Sequence, residues 1–301
     1  MKLHLLRMFT AVAEHMSFTR AAEALYISQP AVSKAVSELE KQLDQPLFER
    51  GAGKLRLTEA GLLLAERGRA ILAIERTAEE DLRALRGLQH GVLRIGASTT
   101  IATYLLPPVI AAFLRQHPGV DLRLTIQNTL SIVSLLLDYQ IDVALVEGPV
   151  ADERIAQQAW RVDELAVIAA PDHPLVARAG KAGVPLALLA AEVFLVREPG
   201  SGTRQVAEQA LVERGARPKH TVELGSTEAI KQVVAAGFGL AIVSKATIPD
   251  ELALRKLTVL RVQGLEIRRM LTRLRLVART PGPAARAFEQ LLTASGDVKT
   301  P

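Results

Sequence analysis

The chain has 301 residues, of which 49% are apolar and 23% are charged. This composition supports large hydrophobic cores and excludes global disorder, and the length allows about two domains. There is no cysteine, which excludes disulfides and thiolate chemistry and fits a reducing cytoplasm. The formal net charge of +5 is only a weak indication of nucleic-acid binding, so the placement of the basic residues decides that question.

Residues 1–15 predict an amphipathic helix with Leu6, Phe9 and Val12 on its inner face. They lack the long apolar core and the small-residue cleavage site of a signal peptide. The longest apolar run, residues 233–243, is well short of the roughly 20 residues that cross a membrane. We therefore expect a soluble protein of the cytoplasm.

Two short helices separated by a tight break are predicted next along the chain. The first covers residues 18–25, and Tyr26 and Ile27 form the break. Ser28 is a favourable N-cap for the second helix, and Pro30 is tolerated in its first turn. The buried stripe of the second helix, at helical spacing, is predicted to comprise Val32, Val36, Leu39 and Leu43.

The segment LFERGAGKLRLT after this helix predicts a basic hairpin. Two helices followed by such a hairpin are the layout of a winged helix-turn-helix, which places its second helix in the DNA major groove. An isolated helix with a polar face is more often simply solvated, but its position before the hairpin favours contact with base edges and phosphates. The predicted DNA-contacting residues are Arg20, Ser28, Gln29, Pro30, Ser33, Lys34, Ser37, Arg50, Lys54 and Arg56.

The stretch FTRAAEALYISQPAVSKAVSELEKQLDQPLFER, followed by LTEAG, closely resembles the N-terminal domain of LysR-type transcriptional regulators. Many positions agree without gaps. The resemblance implies a winged helix-turn-helix domain over residues 1–57 and double-stranded DNA as a partner. It also implies a homo-oligomer, either a dimer or a tetramer, and admits RNA polymerase as a further partner.

A single long helix is predicted over residues 59–88, which contain no proline and are rich in Ala, Leu, Glu and Arg; Thr58 is its cap. Such a helix is about 45 Å long at 1.5 Å per residue. Its apolar seam, repeating every seven residues, comprises Leu64, Ile71, Ala78 and Leu85, with Ile74 and Leu88 at the complementary position. The seam favours pairing with a second helix over packing within one globular domain. The resemblance agrees, since it implies a dimerising linker helix over residues 58–89.

From residue 90 onward, strand and helix patterns alternate, which predicts a parallel sheet with helices on both faces. Two such units occur, at about residues 91–162 and 163–266, and the last strand-helix pair is expected to return to the first unit. The family resemblance implies a two-lobed effector domain like a periplasmic binding protein over residues 90–301, with lobe I at about 90–162 and 267–301 and lobe II at about 163–266. The fold class is therefore α/β, behind a winged helix-turn-helix and a linker helix.

Five predicted loops follow strands and open helices, where backbone N–H groups can bind an anion. Each Ser or Thr in them is individually more often an N-cap, but five converging loops predict a small-anion site. Glu147 would repel an anion unless it is paired, with Arg197 or Arg204 as candidates. The predicted effector-binding residues are Ser98, Thr99, Thr100, Thr129, Glu147, Gly148, Arg197, Gly202, Thr203, Ser226 and Thr227.

A second resemblance narrows the effector class. The stretches ASTTIATYLLP, VALVEGPV, REPGSGTR and ELGSTEAIKQVVAAGFGLAIVS resemble a branch of the LysR family that includes the sulfur-responsive CysL and YeiE proteins and the CbbR regulators of carbon fixation. The resemblance implies an anionic effector. A sulfur oxyanion is the first candidate and a phosphorylated metabolite is the second.

The alternative class is a cytosolic small-molecule-binding protein, or an α/β enzyme, with an incidental helix-turn-helix. Against an enzyme, the six histidines are isolated and Ser201 lies in G-S-G and not in a G-x-S-x-G elbow. We predict no catalytic residue, no metal site and no cofactor. Against a transport binding protein, the chain has no signal peptide and carries a DNA-binding segment.

Overall fold

A computed structural model describes residues 1–51, 54–85 and 90–295, with only the backbone described for Arg50 and Gly51. The chain divides into two compact units, the first ending at Leu82 and the second beginning at Arg83. Among the described residues, no helix combines the length and apolar character needed to cross a membrane.

The first unit is a winged helix-turn-helix, as predicted. Its core is formed by fully buried side chains from the first three helices, among them Leu6, Phe9, Val32 and Leu39. The two strands of the wing pair antiparallel. The elements of this unit are α1 (Leu3–His15), α2 (Phe18–Leu25), α3 (Gln29–Leu43), β1 (Phe48–Gly51), β2 (Lys54–Leu57) and α4 (Glu59–Ala84).

The junction between α2 and α3 agrees with the predicted break, because Tyr26 adopts a left-handed conformation with φ of 56° and ends α2. Ser28 is confirmed at the N-cap position of α3, although its side chain makes no capping hydrogen bond. The buried stripe predicted for α3 is wrong at its last residue. Leu43 is 36% exposed, because α3 ends at this residue and Asp44 turns the chain away; Ala35 is buried in the stripe instead.

The start of α4 is fixed by a cap and a close backbone approach. The Thr58 hydroxyl accepts a hydrogen bond from the Gly61 N–H at 2.9 Å and donates to the Pro46 carbonyl at 2.7 Å. A Cβ atom on Gly61 would lie 2.1 Å from the Leu47 carbonyl oxygen, so only glycine fits. Thr58 is therefore confirmed as the cap of this helix.

The predicted seam of α4 is split in the structure. Leu64 and Ile71 are half-buried against the core of the first unit. In contrast, Ile74 is 59% exposed and Leu85 is 83% exposed. The helix ends at Ala84, earlier than predicted, and Leu88 lies outside the described residues. The exposed apolar stripe of α4, at spacings of four residues, comprises Ile74, Ala78 and Leu82, and the exposed Leu85 follows directly after the helix.

The second unit is a nine-stranded mixed sheet covered by helices on both faces. Its strands are β3 (Gly91–Ser98), β4 (Val120–Gln127), β5 (Val143–Glu147), β6 (Ile155–Ala169), β7 (Val193–Val196), β8 (His220–Glu223), β9 (Leu240–Ser244), β10 (Thr258–Val259) and β11 (Ile267–Leu276). Its helices are α5 (Pro107–Gln116), α6 (Thr129–Leu137), α7 (Pro174–Arg178), α8 (Gly202–Val212), α9 (Thr227–Ala235), α10 (Pro249–Ala253) and α11 (Pro283–Ser295). A π-helical turn covers Ile101–Leu105, and 3-10 turns cover Leu186–Ala191 and Lys245–Thr247.

The strand order is β4-β3-β5-β11-β6-β9-β7-β8, with β10 beside β6. Strands β3, β4 and β5 are parallel, as are β7, β8 and β9. The prediction of a parallel sheet is confirmed for these two groups of strands and is wrong for β6 and β11, which pair antiparallel to each other and to their neighbours. These two long strands run from one lobe into the other and join them.

Each lobe has its own core, and the C-terminal helix belongs to the first lobe. In that lobe Phe113 of α5 packs edge-on against Phe288 of α11, with ring centroids 5.6 Å apart. The Trp160 indole N–H on β6 donates to the Leu292 carbonyl at 3.1 Å. The core of the second lobe includes Phe194 and Leu240. The last strand-helix pair therefore packs with the first lobe.

Candidate DNA-binding surface and effector cleft

The first turns of α3 present polar side chains to solvent. Gln29 and Lys34 are exposed, and Ser33 is half-buried. Because residues three and four apart share one face of a helix, Pro30, Lys34 and Ser37 lie together, and Ser37 is exposed as well. The surface therefore offers amide, hydroxyl and ammonium groups, which can contact base edges and phosphates.

Basic side chains flank this surface on α2 and on the wing. Lys54 and Arg56 are exposed on β2, where they alternate with half-buried leucines. Arg20 is exposed on α2, and its guanidinium donates to the His15 carbonyl. The side chain of Arg50 lies outside the described part of the chain. Positive charge on a wing and beside a recognition helix suits the phosphate backbone.

In the second unit, the predicted loops converge where β5 ends and α6 and α8 begin. The Thr129 hydroxyl donates to the Glu147 backbone carbonyl at 3.1 Å. A Cβ atom on Gly202 would lie 2.2 Å from that carbonyl oxygen and 2.8 Å from the Thr129 hydroxyl. Gly202 is therefore required for α8 to reach the end of β5. The first lobe contributes β5 and α6 to this meeting point, and the second lobe contributes α8.

The residues that cap the three helices differ from the buried threonines where the lobes meet. Asn128, Ser201 and Ser226 are the N-caps of α6, α8 and α9, and each accepts a backbone hydrogen bond three residues on. The predicted site residue Ser226 is exposed and acts as a cap. Threonines follow each cap inside the helix and are buried, so their hydroxyls are directed to other groups. These are Thr129, Thr203 and Thr227.

The predicted cation Arg197 is buried and fully engaged. Its Nη1 donates to the Thr227 hydroxyl at 2.9 Å, and its Nε and Nη2 bind the Glu198 carboxylate at 2.7 and 2.9 Å. Burial raises the pKa of the Glu198 carboxyl, but hydrogen bonds from Arg197 and Asn128 outweigh burial, and the pKa lies below its ordinary value. Arg197 is thus already neutralised by its neighbour.

The predicted partners of Glu147 are wrong. Arg197 pairs with Glu198, and Arg204 binds both Glu208 and Glu223, whose hydrogen bonds raise the pKa of Arg204. The cation beside Glu147 is Arg269 of β11, whose Nη2 lies 3.7 Å from the carboxylate Oε1.

Arg269 is the centre of a buried polar cluster that sequence reasoning missed. Its Nε lies 2.7 Å from the Asp163 carboxylate on β6, and its Nη1 donates to the Thr203 hydroxyl at 2.8 Å. Asp163 also accepts from the Ser244 hydroxyl at 2.6 Å. One signal could have found Arg269: it occupies the inward register of its strand, between the buried Ile267 and Leu271.

Three polar atoms in this region are buried and have no hydrogen-bond partner among the described protein atoms: Ser98 Oγ, Glu147 Oε1 and Arg269 Nη2. Ser98 ends β3, which pairs with β5, and Glu147 lies opposite Leu271 of β11. The three residues therefore lie on neighbouring strands at one edge of the first lobe. Buried polar groups without partners are costly, so the site is suited to a polar ligand.

The other predicted residues of the first lobe lie nearby in the chain but make no side-chain bond that identifies a role. Thr100 is buried, while Thr99 and Gly148 are half-buried. Gly148 has φ of 80°, a conformation that favours glycine. Beyond these, Arg197, Thr203 and Thr227 also line a cavity of about 330 Å³ in the second lobe.

A second network links the two lobes. The Lys231 ammonium on α9 is buried, and it lies 2.7 Å from the Thr247 carbonyl, 2.8 Å from Glu251 and 3.0 Å from the Tyr104 hydroxyl. Tyr104 belongs to the π-helical turn of the first lobe, and its hydroxyl also donates to Glu228 on α9. Sequence reasoning missed this network, because a lysine on an amphipathic helix is usually exposed to solvent.

A winged helix-turn-helix with an exposed polar recognition face, in one chain with two α/β lobes that meet at buried polar groups, defines a ligand-responsive DNA-binding protein. Residues 3–62 match the family described as bacterial regulatory helix-turn-helix protein, lysR family. Residues 86–297 match the LysR substrate binding domain. The chain belongs to the LysR family of transcriptional regulators, and the enzyme alternative is thereby set aside.

Similar proteins of this family align with most of the length of the chain. The RuBisCO operon transcriptional regulator of Allochromatium vinosum is 41% identical over 96% of this chain and 95% of its own length. CbbR of Rhodospirillum rubrum is 37% identical over 89% of this chain and 87% of its own. CysL of Bacillus subtilis is 32% identical over 89% of this chain and 88% of its own.

Solved structures share the fold. A full-length OxyR point variant from Pseudomonas aeruginosa has a TM-score of 0.76 at 26% identity, covering 98% of this chain and 94% of that one. The regulatory domain of CcmR from Synechocystis PCC6803, solved in complex with 2-PG, has a TM-score of 0.64 at 30% identity. That match covers 70% of this chain and 99% of the CcmR domain.

Proposed function

We propose that this regulator binds a small phosphorylated metabolite in a cleft between its two lobes, where β5, α6 and α8 meet. We propose that this binding changes how the protein binds DNA. One observation carries the proposal: Ser98 Oγ and Arg269 Nη2 are buried donors without a hydrogen-bond partner among the described residues, and they lie on β3 and β11, the two strands that flank β5. The Thr129 and Thr203 hydroxyls and the first turns of α6 and α8 lie beside them. Hydroxyls, a guanidinium and helix N-termini together suit an oxyanion.

The relatives support a phosphorylated ligand ahead of a sulfur oxyanion. Two of the three relatives described above are a RuBisCO operon regulator and CbbR, and the CcmR regulatory domain is a complex with 2-PG. This reverses the order of candidates that the sequence resemblance gave. A sulfur oxyanion remains the second candidate, because CysL is also a relative over most of the chain.

We further propose that the exposed residues of α3 read the operator and that the wing binds phosphates. The predicted contacts of Gln29, Ser33 and Lys34 would lie in the major groove. Self-association is assigned to the exposed apolar stripe of α4, as a dimer or a tetramer. We also propose the division of the chain that the sequence predicts. It comprises a DNA-binding domain at residues 1–57, a linker helix at 58–89 and an effector domain at 90–301. Contact with RNA polymerase remains a prediction.

Calorimetry on the full chain tests the effector class. We expect 2-PG to bind more tightly than sulfite or sulfate and to shift the mobility of the protein on promoter DNA from a RuBisCO operon. Thr203→Val is expected to weaken binding, because it removes the hydroxyl that holds the buried Arg269. The exposed Thr280→Val is the matched control. Binding of none of the three anions would overturn the proposal.

A further inference from the structure

The carboxylate of Glu147 is an acceptor in a site that otherwise offers donors. The side chain is 4% exposed, and its Oε1 finds no hydrogen-bond donor among the protein groups that the structure describes. The facing Arg269 Nη2, 3.7 Å away, has no acceptor among them either. The cleft thus holds one buried acceptor and one buried donor side by side, each with unused capacity.

In the described part of the chain, few charged groups other than Arg269 lie near the Glu147 carboxylate. Arg269 of β11 is the cation beside it, and Asp163 of β6 lies on the far side of that guanidinium. The packed starts of α6 and α8 contribute the hydroxyls of Thr129 and Thr203, which bind the Glu147 backbone carbonyl and Arg269. Arg204, also on α8, is engaged by Glu208 and Glu223.

An ionised carboxylate can only accept hydrogen bonds, and so can a fully ionised oxyanion. Sulfate carries no proton near neutral pH, so its oxygens would face the Glu147 carboxylate with like charge and no bond between them. A phosphate monoester keeps a proton on part of its population near neutral pH, since its second pKa is about 6. Its protonated oxygen can donate to Glu147 while a charged oxygen accepts from Arg269.

We infer that Glu147 sets the specificity of the cleft: it selects a singly protonated phosphate monoester and rejects sulfate. This inference rests on the proposed function, because it assumes that the cleft binds an anion. A site built around a buried hydrogen-bonding group rejects analogues that lack the matching group, by about 10⁴–10⁵-fold. We expect at least about 10²-fold here, because the lobes can adjust around the ligand.

Calorimetry on the full chain with 2-PG, inorganic phosphate and sulfate between about pH 5.5 and pH 8.5 tests this. In the wild type, the affinity for 2-PG should fall about tenfold per pH unit above the second pKa of the phosphate, about 6. Sulfate should bind at least about 10²-fold more weakly than 2-PG at low pH. Inorganic phosphate should follow 2-PG in the direction of its pH dependence.

In Glu147→Gln the preference for a protonated phosphate over sulfate should be lost, because the side-chain amide can donate hydrogen bonds as well as accept them. Sulfate affinity should rise by at least about tenfold and the pH dependence for 2-PG should flatten, while Glu153→Gln, an exposed change before β6, should alter neither. If wild-type protein binds 2-PG with no pH dependence and sulfate equally well, the inference fails although the proposed function stands. If it binds no anion, the proposed function itself fails. The wild-type comparison decides the matter even if the variant does not fold.

Discussion

Arg269 and Asp163 face each other on the two strands that join the lobes, and the guanidinium Nε lies 2.7 Å from the carboxylate. Both side chains are almost fully buried. Breaking such a pair leaves a charge without compensation in the interior, which is far more costly than losing an ion pair at the surface. The pair therefore ties the stability of the second unit to the geometry of its cleft.

Arg269→Ala should destabilise the second unit by about 3–5 kcal/mol, because Asp163 would be left buried and unpaired. The neighbouring Arg268 has a side chain that is 66% exposed, so Arg268→Ala should change stability by less than about 0.5 kcal/mol. The single tryptophan, Trp160, lies on β6, so its fluorescence in urea follows the second unit. Equal midpoints for the two variants would contradict the role assigned to this pair.

Two substitutions in α3, the proposed recognition helix, should have different effects on DNA binding. Lys34→Ala should weaken binding to all DNA sequences and lower the salt slope of the affinity by about one. Gln29→Ala should relax preference for the operator, at about 1–3 kcal/mol for a lost bidentate base contact. Gel shifts at several salt concentrations measure both. Lys41→Ala, in the last turn of the same helix, is the control and should bind nearly as the wild type.

For the linker helix, the structure changes the residue to test. Ile71 packs against the core of the first unit, so a charge there would also unfold the monomer. Ile74 is 59% exposed, and Ile74→Asp should dissociate the oligomer without unfolding the chain. Sedimentation should show this, with Glu66→Ala on an exposed face of α4 as the control. If the wild-type chain remains monomeric at high concentration, the exposed stripe of α4 is not a self-association surface.

Local signals explain what could be predicted from the sequence. The bounds of α2, the break at Tyr26 and the Thr58 cap follow from residues that are close together in the chain. The first half of β6 carries no local strand signal, because the exposed Gln157 and Gln158 follow one another and break the alternation of buried and exposed residues. Pairing partners such as Arg269 and Glu147 come from different strands, and their distance depends on the sheet register, which no local pattern supplies.

Because of Glu198, we expect the stability of the second unit to fall at acidic pH. The pKa of the Glu198 carboxyl lies below the ordinary 4.5, with the lowering by Arg197 and Asn128 outweighing burial. A depressed carboxyl pKa contributes stability that is fully present above pH 4.5 and is lost as the pH falls through the native pKa. Between pH 7 and about pH 3.5, Glu198→Gln should therefore lose less stability than the wild type, by up to about 1 kcal/mol because the carboxylate is partly exposed. The Trp160 fluorescence midpoint in urea measures this, and identical pH profiles would contradict it.

The contact between Tyr104 and Lys231 should favour closure of the lobes. The Tyr104 hydroxyl lies 3.0 Å from the Lys231 ammonium and belongs to the other lobe. Tyr104→Phe removes this hydroxyl and keeps the ring, at a cost of about 0.5–1.5 kcal/mol to the closed arrangement. Since a ligand held by both lobes must also bring them together, the affinity for 2-PG should fall by up to about tenfold.

The affinity change must be separated from a loss of folding. Lys231 remains bound by Thr247 and Glu251 in the Tyr104→Phe variant, so the urea midpoint of the second unit should move little. Tyr139→Phe, also in the first lobe, is the matched control and should leave the 2-PG affinity unchanged, because Tyr139 lies at the far end of α6 from the cleft. Calorimetry on both variants measures the difference. An unchanged affinity in Tyr104→Phe would mean that this network holds the lobes in place without taking part in closure around the effector.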